Sequence, residues 1–290
     1  MYPNYKKDFR NVAIVAHVDH GKTTLIDAML KFSKVFRANQ QVENLIMDSN
    51  PQERERGITI LAKNTAIEYN GVTVNIIDTP GHVDFSGEVE RVVNMADGCL
   101  LVVDAVDGPM PQTRYVLKVA MESGLKPVVV INKIDRSVDQ VKATVDAVND
   151  LFLDLATEPE QLDFPVLFAS AKEGYAVPDL ESDPVDMEPL FEAILNYIPA
   201  PEADLDGGLQ MLVAALDYDS HLGQIAVGRV FRGMMRKGEA LVLMGEDGSL
   251  APCRAEHIFS FRDLVRHEVA EVVGGDIVAV SGAKGVKIGD

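Results

Sequence analysis

The 290-residue chain has few cysteines, a shortage of positive charge and no apolar run long enough to cross a bilayer. Cys99 and Cys253 stand far apart in apolar surroundings, which argues against a disulfide framework. Both are expected to be reduced, packed thiols of a cytoplasmic protein. The longest apolar stretches, around Leu100 and Val128, are only strand-sized. Met1–Lys7 is polar with no apolar segment behind it, so neither a signal peptide nor a membrane association is expected. Basic residues number 27 against 45 acidic ones, a net charge of −18. Residues 201–290 hold 9 basic and 14 acidic side chains, so the excess of acid falls on both parts of the chain. A general electrostatic grip on a nucleic-acid backbone is therefore excluded, DNA is not an expected partner, and any RNA contact must be local. Internal repeats and low-complexity tracts are also missing.

What is present is ample core, since 47% of residues are hydrophobic. Residues 1–200 alternate strand-like and helix-like patterns, which predicts an α/β domain with a mostly parallel sheet and helices on both faces. Strands are expected at Val12–Val15, around Thr65-Ile67-Tyr69 and Val72-Val74-Ile76, and at Cys99–Val103, Val128–Ile131 and Val166–Ala169. Asn70-Gly71 between the second and third is a hairpin signal. Val138, Val141, Val145, Val148, Phe152 and Leu155 mark one face of a helix, and a last helix is expected near Met187–Tyr197. Pro199-Ala200-Pro201-Glu202, with Asp206-Gly207-Gly208 after it, places a domain boundary at residue 200. Residues 201–290 then show short alternating segments at Met211–Leu216, Ile225–Phe231, Ala240–Leu243, Ala255–Phe261 and Ile277–Val280, punctuated by glycine. That pattern predicts a small antiparallel β-barrel.

The chemistry is concentrated at the ends of the first domain's strands. Ala16-His17-Val18-Asp19-His20-Gly21-Lys22-Thr23 joins the first strand to a helix bearing Leu25, Ile26, Met29 and Leu30 on one face. Strand, glycine-lysine-threonine loop and helix make a phosphate-binding loop, although Ala16 stands where the usual first glycine would be. His20, Gly21, Lys22, Thr23 and Thr24 would surround the phosphates, with the Lys22 ammonium on the β and γ groups and the Thr23 hydroxyl on Mg²⁺. Asp78-Thr79-Pro80-Gly81-His82 follows another strand. Asp78 suits the Mg²⁺ shell, and Gly81 lets a backbone N–H approach the γ-phosphate. Thr59, at the end of a long polar stretch, could supply a second hydroxyl to Mg²⁺. His17-Val18-Asp19-His20 imitates metal-ligand spacing, but a phosphate loop would bend those side chains apart. Arg54 and Arg56 read as solvated or loop-gripping residues rather than an arginine finger.

Asn132-Lys133-Ile134-Asp135 decides the base. The Asp135 carboxylate can accept from guanine N1–H and N2–H₂, donors that adenine does not offer in that geometry. Asn132 would meet the base's acceptor edge and tie this loop to the phosphate loop, while the Lys133 stem lies along the ring. Ser170-Ala171-Lys172 would offer the Ala171 N–H to guanine O6. Four such motifs in this order, at strand ends, point to a GTP- and GDP-binding site.

These motifs resemble those of the translational GTPases, and the resemblance spans the chain. The second domain is similar to their domain II at Gly228-Arg229-Val230-Phe231-Arg232-Gly233, Lys237-Gly238 and Gly275-Asp276-Ile277-Val278. Met47-Asp48-Ser49-Asn50, Glu55–Asn64 and Asp107–Arg114 resemble the BipA/TypA branch more than elongation factor G or the LepA-type factors. The resemblance implies hydrolysis of Mg·GTP by a ribosome-associated protein linked to ribosome assembly and stress-responsive translation. It implies His82 as the residue that orients the attacking water and Val18 and Ile58 as apolar shields for it. It also implies Asp19 as a carboxylate associated with a monovalent cation. Known members are longer, with further C-terminal domains that engage the ribosome and its RNA, and the chain is expected to be the N-terminal two-domain part of such a protein. A monomer is expected. Translocation of the elongation factor G or LepA type, and a nucleotide-dependent binding switch with little turnover, remain alternatives.

Overall fold

A computed structural model of the chain describes residues 8–33, 63–79, 86–262 and 265–290. The first part is built on a seven-stranded sheet. Its strands are β1 (Asp8–Ala16), β2 (Lys63–Tyr69), β3 (Val72–Asp78), β4 (Gly98–Asp104), β5 (Lys126–Asn132), β6 (Val166–Ser170) and β7 (Tyr175–Val177), in the order β2-β3-β1-β4-β5-β6-β7. The pairs β1–β3, β1–β4, β4–β5 and β5–β6 are parallel, and the two edge strands run antiparallel. Asn70 and Gly71, at φ 50° and 80°, form the left-handed turn that closes the β2–β3 hairpin, as expected from that dipeptide.

Each central strand is apolar on both faces because helices cover both. Val12, Ile14, Val74, Leu100 and Val130 pack with Leu25, Ile26 and Met29 of α1 (Lys22–Phe32). Leu190, Phe191 and Ile194 of a C-terminal helix (Glu188–Tyr197) close the same side. Residues one step along the same strands, among them Ala13, Val15, Leu101, Val129 and Ile131, face the opposite way. There they meet α2 (Ser86–Val93), α3 (Pro111–Glu122) and α4 (Val138–Leu155). We label the Glu188–Tyr197 helix α5. The α4 helix spans the range set by its apolar spacing. Cys99 is fully buried in this second layer, where burial pushes its thiol up to about 12, and both cysteines are free.

The named strands of the second part pair antiparallel. β8 (Gln210–Asp219), β9 (Gly223–Arg232), β13 (His257–Arg262), β14 (Val265–Val269) and β16 (Ile277–Ser281) form a sheet in the order β14-β13-β16-β9-β8. β10 (Met234–Arg236) pairs with β15 (Glu271–Val273), and β11 (Ala240–Met244) with β12 (Leu250–Arg254). The expected barrel is thus a five-stranded sheet with two ribbons. The expected Ala255–Phe261 strand begins two residues later, as β13, because Ala255 and Glu256 connect β12 to β13.

The two parts meet across a buried polar junction. Arg229 on β9, only 6% exposed, reaches Asp97 at 2.7 Å and donates to the Met95 and Ala96 carbonyls beyond α2. Asn11 on β1 donates to Asp97 and to the Gly275 carbonyl, both at 2.9 Å. Ala214 and Ile277 join the apolar layer of the first part. No helix among the described residues is long and apolar enough to cross a membrane.

Candidate functional site

The site forms where the sheet order reverses. From β1 the chain crosses to β2 and β3 on one side, then to β4 on the other. The loop leaving β1 therefore opens into a crevice at the carboxyl ends of the parallel strands, the general position for ligands in such sheets. β1 ends at Ala16, β3 at Asp78, β4 at Asp104, β5 at Asn132 and β6 at Ser170. Every described nucleotide motif expected from the sequence therefore converges on one rim.

The loop after Ala16 enters α1 through Gly21, at φ 89° and ψ 27°. Neither a side-chain cap nor an acidic residue occupies the helix's first turn, so its N–H groups and positive dipole end face the crevice. A Cβ on Gly21 would lie 2.4 Å from Asn132 Nδ2. Gly21→Ala combines that overlap with the cost of a left-handed L-residue, of order 1–2 kcal/mol. It is expected to lower the melting temperature of the nucleotide-free chain by about 5 °C, measured by calorimetry. An unchanged melting point would mean that the loop relaxes freely.

Lys22 is 7% exposed, and its ammonium pairs with the fully buried Asp78 at 2.6 Å and donates to the Thr79 carbonyl. Thr79 in turn donates from its hydroxyl to Ile14 O at 2.7 Å, which fixes the end of β3 beside β1. A buried ammonium, a buried carboxylate, the Thr23 hydroxyl and an uncapped helix terminus are the donor set that a magnesium-phosphate group requires. The chain therefore fits that group.

The loops that follow β5 and β6 are tied to the loop after β1 through Asn132. Its Nδ2 donates to the His20 carbonyl at 2.9 Å, and its Oδ1 accepts the Ala171 N–H at 3.0 Å. The first contact is the expected tie. The second differs from the expectation for Ala171, whose N–H is engaged within the protein because a buried donor must find an acceptor. Lys133, at φ 64°, donates to the Asp19 carbonyl and pairs with Asp104 at 2.6 Å. Asp135 is exposed. The Ile134 N–H anchors its loop to Ala169 O at 3.3 Å. Thr24, Phe32, Ala171, Lys172 and Gly174 line a neighbouring cleft of about 660 Å³, within the range of small-molecule sites.

His20 is buried, and its Nδ1 receives the Asp104 N–H at 3.3 Å. Burial, together with the nearby His17, lowers its pKa and favours the neutral ring. His17 and His20 meet edge to face at 5.1 Å, as packed rings rather than convergent ligands. Sequence reasoning missed Asp104. The available signal was an acidic residue closing the otherwise apolar strand Cys99–Val103, since a buried carboxylate implies a partner. Val18 is half-buried on the loop. Ile58, Thr59, Gly81 and His82 lie outside the described residues, as do Arg54 and Arg56.

Residues 7–200 match the family model described as the elongation factor Tu GTP binding domain, and residues 223–290 match elongation factor Tu domain 2. A large ribosomal subunit assembly factor BipA from Synechocystis is 52% identical over 281 residues, covering 97% of this chain and 47% of that protein. The protein of the same description from Bacillus subtilis is 52% identical over 285 residues, covering 98% of this chain and 47% of its own length. The chain thus spans about half the length of these relatives. Translation elongation factor SelB from Methanococcus maripaludis, solved with the GTP analogue GppNHp, superposes with a TM-score of 0.73 at 21% identity. That superposition covers 97% of this chain and 54% of SelB, a likeness of fold.

Proposed function

This chain belongs to the family of the elongation factor Tu GTP-binding domain, and from that premise we propose that it binds and hydrolyses GTP as a BipA-type translational GTPase. Its work would lie in ribosome assembly or stress-responsive translation, with hydrolysis stimulated by the ribosome. The observation that carries the reading is the convergence of Lys22, Asp78, Asn132, Lys133 and Ala171 at the topological switch point of the sheet. The identity to BipA proteins over nearly the whole chain supports the branch.

In this reading the N–H groups of Gly21, Lys22, Thr23 and Thr24 hold the phosphates. Lys22 exchanges its bond to Asp78 for phosphate oxygens. Thr23, Thr59 and Asp78 would hold Mg²⁺, which supplies neutralisation of charge on the β- and γ-oxygens. Asp135 reads the guanine N1–H and N2–H₂, Lys133 lies along the ring, and Ser170 and Lys172 flank it. The Ala171 N–H would reach guanine O6 only by giving up Asn132 Oδ1. His82 orients the attacking water, Val18 and Ile58 screen it, and Gly81 presents its N–H to the γ-phosphate. Asp19 would face a monovalent cation.

The two observed parts support a GTP-binding domain over 1–200 and a second domain over 201–290. We read the chain as a cytoplasmic monomer that engages neither DNA nor membrane, with ribosomal RNA as its macromolecular partner. Because Asp135 would read the base, the purified chain is expected to bind GTP in preference to ATP, and its water-orienting step would wait on the ribosome. It should turn GTP over at about 10⁻³ s⁻¹ or slower, the scale of an unassisted GTPase. Calorimetric titration and single-turnover phosphate release check both. Rapid turnover without ribosomes, or a preference for ATP, would overturn the reading.

A further inference from the structure

We propose that Asp104 is a positioning residue for nucleotide binding, the counter-ion through which Lys133 locks the base-reading loop to the phosphate loop. The inference rests on the guanine-nucleotide reading of the site and adds a residue that no motif includes.

Asp104 is the last residue of β4 and lies beside Asn132 in the parallel register with β5. It is fully buried. Its Oδ1 accepts the Val106 N–H at 2.8 Å and the Asp107 N–H at 3.4 Å, which shapes the turn leading away from the strand. Its Oδ2 faces the Lys133 ammonium at 2.6 Å, with Arg136 more distant at 3.9 Å. Burial works against the charged carboxylate, but Lys133 and the two N–H donors outweigh it and keep the group ionised.

The same Lys133 ammonium donates to the Asp19 carbonyl in the phosphate loop. Asp19 and Lys133 are both non-glycine residues in left-handed backbone, at φ 67° and 64°. Such conformations persist where surrounding contacts over-determine them, and they gather at ligand sites. Here one ammonium, bound at one end by Asp104 and at the other by Asp19, holds both. The Asp104 N–H also donates to the His20 ring, a second link to the phosphate loop. Asp104 reaches no expected ligand position itself, and it would act through the lysine whose stem borders the base.

Asp104→Asn separates charge from shape, because an amide oxygen can still accept the Val106 N–H while the pairing with Lys133 is lost. Dissociation of a fluorescent GDP from the 290-residue chain is expected to speed up about tenfold in D104N and in K133A. The double variant should be no faster than K133A alone, since Asp104 acts through the Lys133 ammonium that K133A already removes. The ratio of GDP to IDP affinity should stay within twofold of wild type, because the 2-amino group is read by Asp135. The nucleotide-free melting temperature of D104N should fall by a few degrees, because a buried ion pair is lost, while a role confined to the turn, whose acceptor the amide oxygen keeps, would leave GDP dissociation unchanged. An unchanged GDP dissociation rate in D104N, or additive effects of D104N and K133A, would overturn this inference alone. A wild-type chain that failed to hold GDP would overturn the guanine-nucleotide reading and this inference with it.

Discussion

Asp135→Asn is expected to weaken GDP and GTP binding about a hundredfold and to strengthen binding of xanthosine nucleotides. The carboxylate has only acceptors, which match the N1–H and N2–H₂ donors of guanine. An amide turns one donor toward another donor at that edge. Charge-assisted hydrogen bonds are each worth about 1.5–3 kcal/mol. Losing one and weakening its neighbour costs about 3 kcal/mol, roughly two decades in Kd. Xanthine carries a carbonyl where guanine carries the 2-amino group, so the new amide donor finds an acceptor there. Asp135 is exposed, and its loop is fixed independently by Ile134 N–H to Ala169 O and by Arg136 N–H to Lys133 O at 3.0 Å. The substitution should therefore leave the fold and the melting temperature of the nucleotide-free chain unchanged. Competition titrations with GDP, XDP and ADP check it. Undiminished GDP affinity in D135N would remove the base assignment while leaving the phosphate loop untouched.

What the sequence made legible is what short-range chemistry governs. The strand–loop–helix around Gly21, the Asn70-Gly71 turn and the α4 face depend on residues a few positions apart, and they appear where spacing puts them. The strand ends bearing Asp78, Asn132 and Ser170 were legible because a polar residue closes a continuous apolar run. Asp104 obeys the same rule, yet it belongs to no phosphate or base motif, and its meaning comes only from Lys133, 29 positions along the chain. The three-residue strands β7, β10 and β15 were not legible, because segments this short are stabilised by their long-range partners rather than by their own composition. Ala171 shows the opposite limit. Its motif was read correctly as part of the rim, but the acceptor its N–H uses, Asn132 Oδ1, is fixed by tertiary packing.

Arg229 was legible as part of the Gly228–Gly233 stretch, and its importance was not, since its partners lie more than 130 residues away. Replacing it with alanine is expected to destabilise the chain by about 3–5 kcal/mol, the usual cost of removing one member of a buried ion pair. The guanidinium, 6% exposed, pairs with Asp97 and satisfies the carbonyls of Met95 and Ala96 just past α2. It also stacks 5.1 Å above Phe231. Burial already raises the Asp97 pKa, against the pull of Arg229 and the Asn11 amide. Without the arginine that rise must grow, so the folded chain would hold a proton that the unfolded chain releases. A folded-state pKa above the unfolded value makes stability fall as pH rises through the interval between them. R229A should thus be closer to wild type near pH 5 than at pH 7, and adding Asp97→Asn should recover part of the loss at pH 7. Denaturant melts of the three proteins at both pH values measure this, and R229A should unfold at lower denaturant with the second domain's strands leading. The same arginine ties the second domain to the residues that follow α2. If R229A were as stable as wild type at pH 7, the junction would be an incidental contact and that tie would not exist.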